Sequence, residues 1–189
     1  MWQLEEKEKF FTKTYTVIDI ETTGGNFYKG GKIIEVAIIL FDGKKIIDKF
    51  SSLVNPNCKI PPFITKLTGI SDIMVKKAPL FNEIAKKINV FTTNSIFVAH
   101  NTVFDYNFLK AEMNNINQKF DRDTLCTLQL SRNLLKNEPS YSLGKMCNSI
   151  GIKLQNRHRA EGDALATVEL LLMLLNKNSS AVLRSIKRP

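Results

Sequence analysis

The stretch VIDIETTGG, Val17 to Gly25, constrains this chain more than any other. An apolar, β-branched run ends on two acids, Asp19 and Glu21, two positions apart. In a strand, residues i and i+2 point to the same face. Both carboxylates therefore leave the C-terminal end of one strand together. Like charges held side by side repel unless a cation lies between them. Either both acids face solvent at a strand end, or the rest of the chain folds to bring a cation to them.

The remaining pattern predicts what surrounds that strand. TYTVIDIE (14–21) is the first strand, and TTGGNFYKGGK (22–32), with four glycines, is a loop. Residues 32–54 hold two strands turning at Asp42-Gly43, a hairpin signal. A Pro-rich turn and a short helix through Leu67 follow, then a helical stripe over 79–91. SIFVAH (95–100) reads as a buried strand, and 105–116 as a helix opened by Asp105. Residues 123–135 begin extended and become helical, 142–152 form a helix ending near Gly151, and 160–177 form a long helix. Hairpin strands followed by alternating strands and helices predict an α/β fold, a mixed sheet flanked by helices with the first strand at its centre.

The 189 residues make one domain over 14–177, between an N-terminal tail (1–13) and a fraying basic C-terminal tail or linker stub (178–189). Lys and Arg number 27 against 18 acids, a net charge of +9, which suits a polyanionic partner such as nucleic acid or simply a basic solvated surface. Cys58, Cys126 and Cys147 form no C-x-x-C pair and read as reduced thiols of a cytoplasmic protein. No apolar run reaches the roughly 20 residues of a membrane span, so no membrane partner is expected.

Three acidic signals have to meet. Asp19 and Glu21 end the central strand, Asp105 follows another strand in HNTVFD (100–105), and HRAEGDA (158–164) places His158 and Asp163 before and within the last long helix. Ligand sites of open α/β sheets gather beyond the carboxyl ends of the strands. Four carboxylates there form a hard-oxygen site for Mg²⁺ or Mn²⁺. Two such ions roughly 3.5–4 Å apart can clamp a phosphodiester. Each residue also has a simpler job. Asp105 could be only a helix cap, Asp163 could only complement the helix dipole, His158 could be a surface or capping residue, and Glu161 could replace Asp163 as ligand.

Together, DIETTG (19–24), HNTVFD (100–105) and HRAEGDA (158–164) resemble the three motifs of the DnaQ-like 3′–5′ exonucleases of the DEDDh class, whose proofreading type is found in DNA polymerase III epsilon. The resemblance covers about residues 15–176. It implies a ribonuclease-H-like fold with a five-stranded mixed sheet. It implies hydrolysis from the 3′ end of single-stranded or frayed DNA, in proofreading or repair, with release of nucleoside 5′-monophosphates. Asp19, Glu21, Asp105 and Asp163 would hold two divalent cations, with His158 as general base. Thr22 and Thr23 would support the terminal nucleotide, and Leu67 and Ile70 of TKLTGI (65–70) would pack against its base or sugar, or else pack only at a helix end. Where many relatives carry a large apolar wedge after TTG, this chain has Gly25 and Asn26, with Phe27 and Tyr28 beyond as candidates to stack on a base. RNA trimming by the same chemistry, a non-catalytic module that binds nucleic-acid ends, and a role beside a polymerase subunit or a fused nuclease domain are the alternatives.

Overall fold

The computed structural model describes residues 13–189. The expected tail over 1–13 lies, except for Lys13, outside them. Five strands form one sheet in the order β3-β2-β1-β4-β5: β1 (Tyr15–Thr22), β2 (Ile33–Phe41), β3 (Ile46–Leu53), β4 (Ile96–Ala99) and β5 (Thr124–Cys126). The expectation of a mixed sheet centred on the first strand is met. β1 and β2 pair antiparallel, as do β2 and β3, whereas β4 and β5 run parallel to β1. The β2–β3 turn forms where Asp42-Gly43 signals it: Gly43 takes φ +90°, and Asp42 Oδ1 accepts the Lys44 and Lys45 N–H groups at 2.8 and 2.7 Å.

The helices are α1 (Pro62–Thr68), α2 (Asp72–Val75), α3 (Phe81–Thr92), α4 (Thr102–Asn115), α5 (Thr127–Leu134), α6 (Leu143–Ile150), α7 (Ala160–Lys177) and α8 (Ser179–Arg184). They cover the two faces of the sheet differently. Tyr15 and Val17 of β1 point into a core closed by α7, through residues such as Ala160, Ala164, Leu171 and Leu174. Ile18 and Ile20 point the other way, into a core closed by α3 and α4 through Ile84, Ile88, Phe108 and Leu109. The alternation in VIDIET thus assigns Asp19 and Glu21 to the α7 face.

Two expectations are corrected. α4 starts at Thr102, a turn's length before the predicted start, with Asn101 as N-cap in the left-handed region (φ +78°). Asp105 is therefore inside the first turn and not the cap. The segment 178–189 does not fray. Asn178 Oδ1 caps α8 by accepting the Ala181 N–H at 2.9 Å, and Val182 is buried in the α7-side core. Beyond α8, Lys187 and Thr124 of β5 exchange backbone hydrogen bonds of 2.8 and 2.9 Å. The basic composition of this stretch masks a short apolar set, Val182, Leu183 and Ile186, that packs on the core.

Candidate active site

β1 outruns its parallel neighbour. Pairing of β1 with β4 ends at Val17, whereas pairing with β2 continues to Thr22. From Ile18 onward the sheet has an open edge on the β4 side, and Asp19 and Glu21 lie along it. α4 closes that edge with a side chain. The Ile20 N–H donates to Asp105 Oδ1 at 3.2 Å, so this carboxylate stands where a longer β4 would have offered a carbonyl. Asp105 is only 4% exposed. The hydrogen bond gives it a position that a capping role would not explain.

The other half comes from the segment leading into α7. Glu21, His158 and Asp163 each offer a ligand atom, and these atoms lie within 4.8 Å of one another. Asp163 is tied back to its own loop, with the His158 N–H donating to Oδ2 at 3.3 Å. Asp163 Oδ1 is buried with no hydrogen-bond partner. An orphaned carboxylate oxygen is costly to bury, and a cation is the partner that suits it. His158 holds φ +61°, a left-handed backbone that orders the approach to the helix.

Electrostatics point the same way. Burial, then Asp105, Asp163, Glu21 and Glu35, push the Asp19 carboxyl well above its usual range. Burial also raises Asp105, against the hydrogen bonds that favour its charged form. Glu21 is pushed up to about 7 by burial, Asp163 and Glu35, with Arg159 opposing. Burial is the main cause raising Asp163 too. The fold thus holds four acids in a space that disfavours their charge, which divalent cations would relieve. The oxygen-rich donor set fits Mg²⁺ or Mn²⁺.

The remaining predicted residues divide. Thr22 and Thr23 are buried and pin the loop after β1: Thr22 Oγ1 donates to the Gly24 carbonyl, and Thr23 Oγ1 accepts the Lys32 N–H, both at 2.9 Å. The Thr23 N–H is also committed, to the Lys32 carbonyl at 2.8 Å. Leu67 is 50% exposed at the end of α1, but Ile70 is fully buried. Ile70 packs with Ile34, Ile60, Ile64 and Val75 in a third core cluster. It cannot reach a nucleotide, and its place on the predicted contact surface is withdrawn. Of the two aromatics, Phe27 turns inward, edge-on to Phe108 at 6.0 Å, whereas Tyr28 is 93% exposed. Glu161 points away from the cluster, paired with Lys49 of β3 at 2.7 Å, so Asp163 and not Glu161 is the acid brought to Glu21.

One pair went unrecognised in the sequence. Glu35 of β2 lies directly opposite Glu21 in the β1–β2 register and is 3% exposed. It is bound by Arg159. The signal was present, since a lone acid in the apolar run IIEVAIILF must either face solvent or find a partner.

A family model described as Exonuclease matches residues 16–171. The chain is 38% identical over 181 residues to a PolC-type DNA polymerase III of Caldanaerobacter subterraneus subsp. tengcongensis, across 96% of this chain and 13% of that protein. It is 36% identical over 176 residues to the 3′-5′ exonuclease DinG of Staphylococcus aureus, across 93% of this chain and 20% of that protein. The chain therefore spans a small part of the curated relatives it matches. Among solved structures, exonuclease X in complex with 5′-overhanging duplex DNA superposes with a TM-score of 0.73 at 26% identity, covering 90% of this chain and 96% of that one. The nuclease domain of 3′hExo, a DEDDh family member bound to rAMP, superposes at 0.78 with 19% identity over 94% of this chain and 96% of its own, a likeness of fold.

Proposed function

The chain belongs to the exonuclease family, and on that premise we propose that it removes nucleotides one at a time from the 3′ end of DNA, releasing nucleoside 5′-monophosphates. The observation that carries the site assignment is the buried, unpartnered Oδ1 of Asp163 beside Glu21 and His158. Asp19, Glu21, Asp105 and Asp163 would hold two divalent cations, Mg²⁺ or Mn²⁺. Those ions would supply Lewis acidity, acidifying water and offsetting charge on the phosphoryl group.

The chain's own residues do the rest. His158 accepts the proton of the attacking water as general base. Asp105, fixed by the Ile20 N–H, keeps its carboxylate at the open sheet edge. Thr22 and Thr23 hold the loop that follows Glu21, so the strand end and the loop meet the terminal nucleotide as one surface. Leu67 supplies an apolar contact. Tyr28, presented by a loop that Phe27 anchors, stacks on a base of the incoming strand. The +9 charge favours a polyanionic substrate. Among the described residues, no helix is long and apolar enough to cross a membrane. The relatives' names and lengths support a setting beside a DNA polymerase or within a larger exonuclease.

The test is digestion of labelled linear single-stranded DNA, its 3′-phosphorylated form, circular single-stranded DNA and RNA, each with Mg²⁺ and with Mn²⁺. Linear DNA with a free 3′-hydroxyl should be shortened stepwise, and the blocked and circular substrates should survive. Cleavage of the circle would overturn the reading.

A further inference from the structure

The residue behind the general base is as unusual as the base itself. Glu35 sits in the middle of an apolar strand, buried, yet it carries a full set of partners. Arg159 Nε donates to Glu35 Oε1 and Oε2 at 3.1 Å each, and Nη2 donates to Oε1 at 2.6 Å. The fourth bond comes from the backbone: the Ala160 N–H donates to Oε2 at 2.9 Å. Ala160 is the first residue of α7, so Glu35 satisfies one of the N–H groups that a helix start leaves unpaired. Arg159, the N-cap, has no side-chain capping bond of its own.

We propose that the Glu35–Arg159 pair is a positioning clamp that fixes the His158–Ala160 junction on β2 and thereby aims His158 at the site of attack. The proposal rests on the general-base reading of His158 given above. Three features make the junction depend on such a clamp. His158 occupies a left-handed backbone conformation, uncommon for a residue with a side chain, directly before the helix start. The preceding residues fold tightly over α7: a Cβ on Gly162 would lie 2.0 Å from the Gln155 carbonyl oxygen, so the loop already packs against bare helix backbone. The clamp's acid also belongs to the strand pair that carries the metal-site acid, because Glu35 is the cross-strand partner of Glu21. A carboxylate on β2 thus ties the loop carrying the base to the strand carrying the ligand. Asp163 is one turn into α7, a helix that also packs on the core through Ala164, Leu171 and Leu174, and it touches the junction through the His158 N–H and the Arg159 carbonyl.

A bidentate guanidinium contact cannot be reproduced by an ammonium. Glu35→Gln and Arg159→Lys should therefore both fold, as judged by cooperative melting, and both should lose turnover. The expected loss in kcat is about 10- to 100-fold, with KM for a 3′-labelled oligonucleotide changing less than about threefold. Mn²⁺ affinity should hold within the same limit in Arg159→Lys, which keeps the charge, whereas Glu35→Gln also removes a charge that acts on Asp19 and Glu21. The deciding measurement is a double-mutant cycle with His158→Ala. If the clamp works through His158, Glu35→Gln/His158→Ala should be no slower than His158→Ala alone. A double variant slowed by the full product of the two single effects would overturn the clamp, as would a Glu35→Gln protein with unchanged kcat. A His158→Ala protein of normal rate would instead overturn the general-base reading, so the two failures are distinguishable. Arg159→Lys keeps the experiment decisive should Glu35→Gln prove unstable.

Discussion

The two halves of the site are held by different means. The strand half, Asp19 and Glu21, rides on β1, which pairs with β2 in one register from Tyr15 to Glu21 before a shift at Thr22, and whose alternate side chains are buried in two separate cores. The loop half, His158 and the approach to Asp163, is held by a left-handed residue, two backbone bonds to carboxylates and one half-buried ion pair. A paired strand fixes its side chains through many cooperative contacts. A loop fixes its side chains through a few, so each contact matters more and the geometry can be altered without unfolding the sheet. Under the proposed reading, Asp19 and Glu21 would be ligands carried by the strand, while His158 would be a proton acceptor carried by the loop.

The sharpest way to break this comparison is to remove the strand half. Asp19→Ala should reduce hydrolysis to background and lower Mn²⁺ affinity, measured by titration calorimetry and by release of labelled mononucleotide. The variant should still fold, because Asp19 is raised well above its usual range by burial and neighbouring acids, and its removal relieves repulsion. More than about a tenth of the wild-type rate at saturating metal would show that the strand half does not hold the ions.

The loop half should fail differently. His158→Ala should slow turnover by about 10²–10⁴-fold, the range for loss of a general base, while DNA-end binding in Ca²⁺ and Mn²⁺ affinity stay near normal. The measurement also decides a real ambiguity, because the His158 ring comes within ligand distance of Glu21 and Asp163. If metal affinity collapses with the rate, His158 is a ligand and the water has another proton acceptor.

The same contrast explains what could be read in advance. The strand half was legible because a period of two, an apolar run and a terminal pair of acids are local facts. The hairpin and the central place of β1 followed from them, whereas the meeting of Asp105 and Asp163 with the strand pair was an expectation that rested on the packing of the last helix and on the resemblance of the three motifs. What escaped depends on packing at a distance. Ile70 looks like any exposed helix-end residue until Ile34, Ile60 and Val75 close over it. Residues 178–189 look like a solvated tail until Val182 finds the core and Lys187 finds β5. Glu35 was hidden by its neighbours, because an apolar strand reads as apolar throughout. Its partner lies 124 positions away, and no local pattern joins them.

Titration sharpens the comparison further. Glu21 holds its proton up to about pH 7 in the folded, metal-free protein, against 4.5 for an ordinary glutamate. The folded state then binds more protons than the unfolded chain between those values. Metal-free stability should therefore fall as pH rises from about 4.5 to about 7, by on the order of 3 kcal/mol from Glu21. Asp19 and Asp105, raised in the same direction, should add to that loss. Cations bind the ionised carboxylates and should restore what is lost. The increase in Tm on adding Mn²⁺ should be small at pH 5 and large at pH 8, and Glu21→Gln should flatten the metal-free trend. A Tm increment independent of pH would mean that the acids are not the ligands.

The smallest effect expected lies beyond the strand, on the loop that Thr22 and Thr23 pin. Phe27 anchors this loop against Phe108, and Tyr28, 93% exposed, touches only the edge of that anchor, with ring centroids 6.0 Å from Phe27. Tyr28→Ala should leave Tm and metal affinity unchanged. It should weaken binding of single-stranded DNA by the roughly 1–3 kcal/mol that one base–aromatic stack contributes, read as a rise in Kd in Ca²⁺. Tyr28→Phe should bind like the wild type, since stacking needs the ring and not the hydroxyl. The loss should also disappear for substrates with an abasic position where the ring would stack, which locates the contact along the strand. Equal binding by the Ala variant would remove Tyr28 from the substrate path and confine the strand side of the site to its carboxylates and the terminal nucleotide.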